Sequence, residues 1–170
     1  MQFLEFARIC EHLEGISGRL EMIEEVATVL PRLDETDLPI FVRFIMGRIF
    51  PDWSTRKLGV GPNLLYDAVA YVAGVKRETV VEAVNRTGDV GLAVEELLAK
   101  KEQTSFFIQE LELLDAYRGF ERMAAAEGQR SQREKLRVAE GLFGNARPIE
   151  GRYLARLMLE ELRIGMGEGN

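Results

Sequence analysis

Apolar residues recur every three or four positions along nearly all of this chain, as in Phe3, Phe6, Cys10 and Leu13 and again in Leu20, Ile23, Ala27 and Leu30. No run alternates with period two, so the pattern predicts an all-α protein. Proline and glycine divide it into about nine or more helices. Pro31 ends the second, Asp37 with Pro39 starts the third and Pro51 stops it. Pro62 opens a fourth that ends at Gly74, a fifth ends near Thr87-Gly88, and Asp89 caps a sixth that runs to about Ala99. The polar stretch from Lys100 to Ser105 predicts an exposed connection. Leu111, Leu114, Tyr117, Phe120 and Met123 then mark a seventh helix, Ser131-Gln-Arg-Glu134 reads as a capping box opening an eighth that ends at Gly144, and a ninth runs from Pro148 to Gly165. Short turns between the helices predict one compact domain over residues 1–170.

Composition narrows the chemistry. With 46% hydrophobic residues in 170, the chain can bury a proper core. Its apolar runs, such as Val69–Val75, fall far short of the roughly 20 residues needed to span a bilayer, so no membrane association is expected. The opening residues carry acidic groups where a secretory signal would carry basic ones, and they read as the start of a mature cytoplasmic chain. One cysteine (Cys10) and one histidine (His12) leave no basis for a disulfide scaffold, a zinc site or a Ser-His-Asp triad. No nucleophile, carboxylate pair or metal cluster stands out, so the segment alone is not expected to be an enzyme.

A weak internal repeat is visible. Pro39-Ile-Phe-Val-Arg43-Phe-Ile aligns with Pro148-Ile-Glu-Gly-Arg152-Tyr-Leu, and each copy later reaches a glycine pair, Gly59-Val-Gly61 and Gly165-Met-Gly167. The offset is 148 − 39 = 109 at the prolines and 165 − 59 = 106 at the glycines. Two helical arms related by a pseudo-twofold axis would give this pattern; chance likeness of two amphipathic helices has equal weight on the residues alone.

The formal charge is −6, from 22 basic and 28 acidic residues, which by itself argues against a polyanion partner. The distribution is uneven. Residues 128–170 hold eight basic and six acidic residues, giving +2, and residues 1–127 hold 14 and 22, giving −8. On a continuous ninth helix Arg152, Arg156 and Arg163 would share one face able to follow a phosphate backbone. A solvated face with the arginines paired to Glu160 and Glu161 is the plainer reading of that spacing. The Gly165-Met-Gly167 and Gly59-Val-Gly61 turns could present N–H groups to phosphates, although helix C-caps are the commoner use of such glycines. Neither has the Lys-Ser/Thr of a nucleotide-binding loop.

Five segments together resemble the N-terminal DNA-binding domain of archaeal-type ATP-dependent DNA ligases. They are Phe50-Pro-Asp-Trp53 with Leu58-Gly-Val-Gly61, Thr87-Gly-Asp-Val-Gly91, Gln103-Thr-Ser-Phe-Phe107, Tyr153-Leu-Ala-Arg156, and Leu162-Arg163-Ile-Gly165. The resemblance covers essentially the whole chain. It implies an all-helical domain with pseudo-twofold related arms that sits in the minor groove on both sides of a nick and works beside an adenylation domain and an OB-fold domain. None of the five lysines begins the family's catalytic Lys-x-Asp-Gly motif. The resemblance therefore implies a non-catalytic front segment, with no cofactor of its own, of a longer ligase that uses ATP and Mg²⁺ and works in the cytoplasm on the nucleoid.

By position, the family's DNA-contacting loops match Ser17-Gly18-Arg19, then Gly128-Gln129-Arg130-Ser131 with Arg133 and Lys135, then Arg163 with Gly165 and Gly167; Arg152 and Arg156 join them through the shared helix face. Small residues beside cations suit contacts to the backbone of any duplex sequence. Ser17 also fits an ordinary helix N-cap, and Trp53 and Tyr153 fit the core better than base stacking. Gln103, Phe106 and Phe107 resemble the shortened motif by which archaeal ligases dock the sliding clamp (PCNA). The residues alone favour packing the two Phe side chains under the next helix, and the resemblance favours the clamp. The rival to nicked-duplex binding is an acidic helical interaction module that mainly docks the clamp and has little DNA affinity.

Overall fold

The computed structural model describes residues 1–101 and 109–167. Among them the chain forms nine α-helices and one 3₁₀ turn: α1 (Phe3–Glu14), α2 (Arg19–Val29), the 3₁₀ turn Leu30–Arg32, α3 (Asp37–Ile45), α4 (Pro62–Ala73), α5 (Arg77–Thr87), α6 (Val90–Lys100), α7 (Leu113–Ala125), α8 (Ser131–Gly144) and α9 (Pro148–Met158). The all-helical expectation holds. The described residues contain no strand, only an antiparallel bridge between Gln2 and Glu112 that ties the start of the chain to the entry of α7.

Most helix ends follow the local chemistry. Pro62 is the first residue of α4, where its missing donor costs nothing, and Gly74 leaves the helix at φ 68°. Asp89 caps α6 by accepting the Gly91 and Leu92 N–H groups at 2.8 and 3.4 Å. Three ends differ from the sequence expectation. Ser131 is inside α8 with Arg130 at the cap position, so no serine capping box opens that helix. The third helix stops at Ile45, with Gly47 at φ 77°, well before Pro51. The ninth stops at Met158, because Glu160 adopts φ 57° and the Glu161 N–H turns back onto the Arg156 carbonyl at 2.8 Å.

The core is built from one face of each helix. Phe3, Phe6, Ala7, Cys10 and Leu13 of α1 are all fully buried. Phe6 meets Phe41 and Phe44 edge-on at 6.0 and 5.8 Å between ring centroids, and Phe44 continues to Phe120 at 5.7 Å. Burial pushes the Cys10 thiol well above its usual pKa. In α2 the buried face is Met22, Val26 and Val29, whereas Leu20 and Ile23, two of the residues that marked the helix in the sequence, are exposed. Tyr153 is in the core as expected. Trp53 is not: it stands 83% exposed on the connection between α3 and α4.

The most extensive helix contact is that of α6 with α9, and glycine makes the approach possible. A Cβ on Gly91 would lie 2.6 Å from Arg156 Nε and 2.8 Å from the Arg152 carbonyl oxygen, and one on Gly151 would run into the Leu98 side chain. Gly91→Ala must push a backbone aside and is expected to destabilise the chain by about 1–3 kcal/mol. Thermal melting followed by circular dichroism checks this, with a midpoint lowered by about 2–4 °C per kcal/mol.

Candidate nucleic-acid interface

The tight α6–α9 seam carries a network of buried charge. Arg152 and Arg156, on successive turns of α9, are only 8% and 3% exposed. The Arg156 guanidinium grips the Asp89 carboxylate twice, from Nε to Oδ1 at 3.2 Å and from Nη2 to Oδ2 at 2.5 Å, and its Nη1 donates to Glu14 at the end of α1. Arg152 donates to Glu95 of α6 through Nε, lies 3.1 Å from Glu11 of α1 and donates to the Tyr153 hydroxyl at 3.4 Å. Tyr153 in turn donates to Glu14 at 2.7 Å. Among the described residues, no buried side-chain polar atom lacks a partner. Three helices far apart in sequence are thus clasped by two guanidinium groups.

The titration behaviour follows from this geometry. Burial alone would raise the Asp89 carboxyl, but the Arg156 hydrogen bond and charge, with the Gly91 and Leu92 N–H groups, outweigh it and hold the pKa below the usual 3.8. Burial, reinforced by the bond to Glu14, pushes the Tyr153 phenol far up. Glu95 keeps the Arg152 guanidinium protonated against burial.

This placement corrects the open arginine face. Arg152 and Arg156 point inward and are engaged by carboxylates of α1, α6 and the α6 cap, not by Glu160 or Glu161. Only Arg163 is outside, half exposed, with a left-handed backbone at φ 62° and its guanidinium near the Gly88 carbonyl (3.5 Å), Asp89 (3.9 Å) and Glu161 (3.9 Å). Lys135 is also internal: it is 8% exposed and donates to the Gly59 carbonyl at 3.3 Å.

The remaining candidate residues are on the surface. Ser17, Gly18 and Arg19 are exposed between α1 and α2, with Gly18 at the N-cap position in place of Ser17. Gly128 (φ 84°), Gln129, Arg130 and Arg133 are exposed around the α7–α8 turn, where Ser131 is half-buried. Gly165 is exposed at φ 78°, and Gly167 is half-buried against the Met46 carbonyl. Gln103, Phe106 and Phe107 lie outside the described residues.

The turn after α9 packs on α2, the helix that the first loop opens. A Cβ on Gly165 would sit 3.6 Å from the Met22 methyl of α2, and Glu14, Arg156, Asp89 and Arg163 form a continuous chain of charge from the end of α1 to the turn after α9. The third loop carries unneutralised cations. Among the described residues, no carboxylate lies within ion-pair distance of Arg130 or Arg133 at the α7–α8 turn, nor of Arg118, Arg122 and Arg137 on the two helices that flank it, whereas Arg32, Arg56, Arg77 and Arg86 are each paired. Backbone N–H groups, small residues and cations in this arrangement can hold a phosphate backbone without reading its sequence. Among the described residues, no group of three or more His, Cys, Asp or Glu could hold a metal, and no helix is long and apolar enough to cross a membrane.

Comparison with known proteins agrees with the fold and length of the resemblance. A family model described as DNA ligase N terminus matches residues 2–170. The chain is 84% identical over its whole length to a DNA ligase of Methanoculleus marisnigri, 60% identical over 99% of its length to one of Methanocorpusculum labreanum, and 43% identical over 99% of its length to one of Archaeoglobus fulgidus. It spans about 31% of the length of each of these relatives.

The buried network gives a pH-dependent expectation. Asp89→Asn retains a cap acceptor but leaves Arg156 with only the Glu14 carboxylate, at a cost on the order of 3 kcal/mol near neutral pH. Because the folded pKa is depressed, the native advantage is complete above the unfolded carboxylate value of about 3.9 and is lost as pH falls through the folded value below it. Thermal melts of the two chains from pH 7 to pH 2.5 should therefore converge at the acid end; a constant gap would remove the charge from the account.

Proposed function

Since this chain belongs to the family of DNA ligase N-terminal segments, we propose that it binds nicked double-stranded DNA through the minor groove, independently of sequence, and positions the nick for joining by ATP-dependent ligase domains outside this chain. The observation that carries this reading is the placing of exposed glycine turns beside cations. Ser17-Gly18-Arg19 opens α2, whose Met22 lies against Gly165, and Gly128-Gln129-Arg130-Ser131 with Arg133 forms a further loop whose arginines have no carboxylate within ion-pair distance among the described residues. Exposed turns of small residues beside cations suit sugar and phosphate, which every duplex presents alike. Arg152, Arg156 and Lys135 serve this surface from inside, by fixing the elements that carry it.

No step through ATP or Mg²⁺ falls to these residues, because the chain has no Lys-x-Asp-Gly motif. Its part is to bind and orient, and the adenylation and OB-fold domains of the longer ligase are its working partners. Gln103, Phe106 and Phe107 are the segment proposed to dock the sliding clamp (PCNA): paired aromatics can fill an apolar pocket while the glutamine hydrogen-bonds at its rim. The working place is the cytoplasm, on the nucleoid.

Fluorescence anisotropy of the 170-residue chain with nicked and intact duplexes across a salt series tests the DNA reading. Binding near the non-specific range of about 10⁻⁴–10⁻⁶ M is expected, with log K falling linearly against log salt. Arg163→Ala should weaken DNA binding while the chain stays folded, and Arg156→Glu should lose its fold, because a buried cation site would then hold three carboxylates. A folded parent chain that binds no duplex even at low salt would leave clamp docking as its task. In the intact ligase, Phe106→Ala with Phe107→Ala should weaken clamp-stimulated joining and spare clamp-free joining at low salt; unchanged stimulation would return both side chains to the core.

A further inference from the structure

α2 carries apolar side chains on two sides, and the fold uses only one of them. Met22, Val26 and Val29 face the core, and the Gly165 turn lies against Met22. On the opposite side Leu20, Ile23 and Ala27, at i, i+3 and i+7, form a second apolar line along the helix, and all three are exposed. Leu20 is 78% and Ile23 44% exposed, which makes Leu20 the most exposed large aliphatic side chain among the described residues. Single leucines at a surface are ordinary. An apolar line on a helix that already meets the core with its other side is a face without a partner.

Charge decides what can cover it. Glu24, one turn after Leu20, is on the same side of the helix, and Glu21 borders it; both are exposed, and no cation among the described residues lies within ion-pair distance of either. Those carboxylates repel a phosphate backbone, so the line is not a further contact for DNA. A protein surface with an apolar centre and a basic rim complements both parts. Position narrows the partner. The line begins directly after Ser17-Gly18-Arg19, the loop proposed above to touch the duplex, and so stands at the edge of that contact. The chain spans about 31% of the length of its relatives, so most of such a ligase lies outside it. Domains that hold the same duplex carry cations where they meet it, and cations at the margin of that surface are the complement of Glu21 and Glu24.

We propose that the face formed by Leu20, Ile23 and Ala27 is the docking site for the catalytic part of the same ligase, which covers it when the protein closes around a nicked duplex. The proposal rests on the duplex-binding reading above and adds to it the surface by which this segment meets its neighbour. Three apolar side chains with an acidic border bury little area and make few directional bonds, which suits a contact that forms and releases in every turnover.

Hydroxyl-radical footprinting read by mass spectrometry tests this on the intact ligase and on the 170-residue chain, each with and without a nicked duplex at low salt. In the intact ligase Leu20 and Ile23 should lose most of their reactivity when the duplex is added, while Met22 on the buried side of the same helix stays constant. In the 170-residue chain with duplex bound they should stay as reactive as without it. Protection by duplex in the 170-residue chain would make DNA the cover, protection on concentrating that chain alone would make a second copy the cover, and full reactivity in the duplex-bound ligase would leave no cover; each overturns the inference while the duplex-binding reading stands. A 170-residue chain that binds no duplex would overturn both. Leu20→Gln with Ile23→Gln in the intact ligase should slow nick joining by about tenfold, with Leu20→Met and Ile23→Val keeping the parent rate. The same glutamine pair in the 170-residue chain should leave its melting and duplex affinity unchanged, and parent-like joining by the glutamine variant would also overturn the proposal.

Discussion

Two arginines on successive turns of α9 fix the register of helices that share one apolar core. Arg152 and Arg156 collect carboxylates from α1, α6 and the turn that starts α6, residues separated from them by 57 to 142 positions in sequence. Burying so much charge is costly, and apolar residues of similar volume could match its net stability. What charge adds is register. A guanidinium accepts only a narrow set of partner geometries, so α1 and α6 cannot slide along α9 without leaving a carboxylate unpaired in the interior. Gly91 and Gly151 serve the same end by letting the helices approach until those bonds close.

Position, more than stability, is what the surface requires. The loop after α1 begins one residue beyond Glu14, and the turn after α9 starts two residues beyond Met158, so both emerge directly from the clasped region. Loops that contact a rigid ligand gain from being set in place beforehand, since ordering them at binding would subtract from affinity. The left-handed residues at Glu160 and Arg163 show how sharply the chain is steered there; neither is glycine, and the surrounding contacts must sustain the conformation.

The sequence was legible where structure is local. Helical spacing marked nine helices, Pro62, Gly74 and Asp89 marked their own ends, and the apolar face of α1 was the buried one. It was misleading where two local readings competed. α2 has apolar residues on opposite sides, and spacing cannot say which side meets the core: Met22, Val26 and Val29 do, and Leu20 and Ile23 do not. The end of α9 carries no proline or glycine, so only the turn of Glu160 reveals that Arg163 is off the helix. The burial of Arg152, Arg156 and Lys135 depends on Glu14, Asp89, Glu95 and the Gly59 carbonyl, all distant in sequence, and Trp53 is exposed because its connection runs over the surface. Of the residues named by loop position, Arg19, Arg130, Arg133 and Arg163 are on the surface and Lys135 is not; the two named only by helix spacing, Arg152 and Arg156, are both inside.

Cys10 gives the fold a reporter of its own motion. It is the only cysteine in the chain, its side chain is fully buried on the core face of α1, and burial keeps it as a thiol. Thiol reagents attack the thiolate, so this sulfur is protected both by protonation and by the packing of α1 on its neighbours. Its rate of modification therefore measures how often α1 leaves its seat, and with it how often the Glu14 end of the clasp opens, in the unaltered protein and without any introduced label.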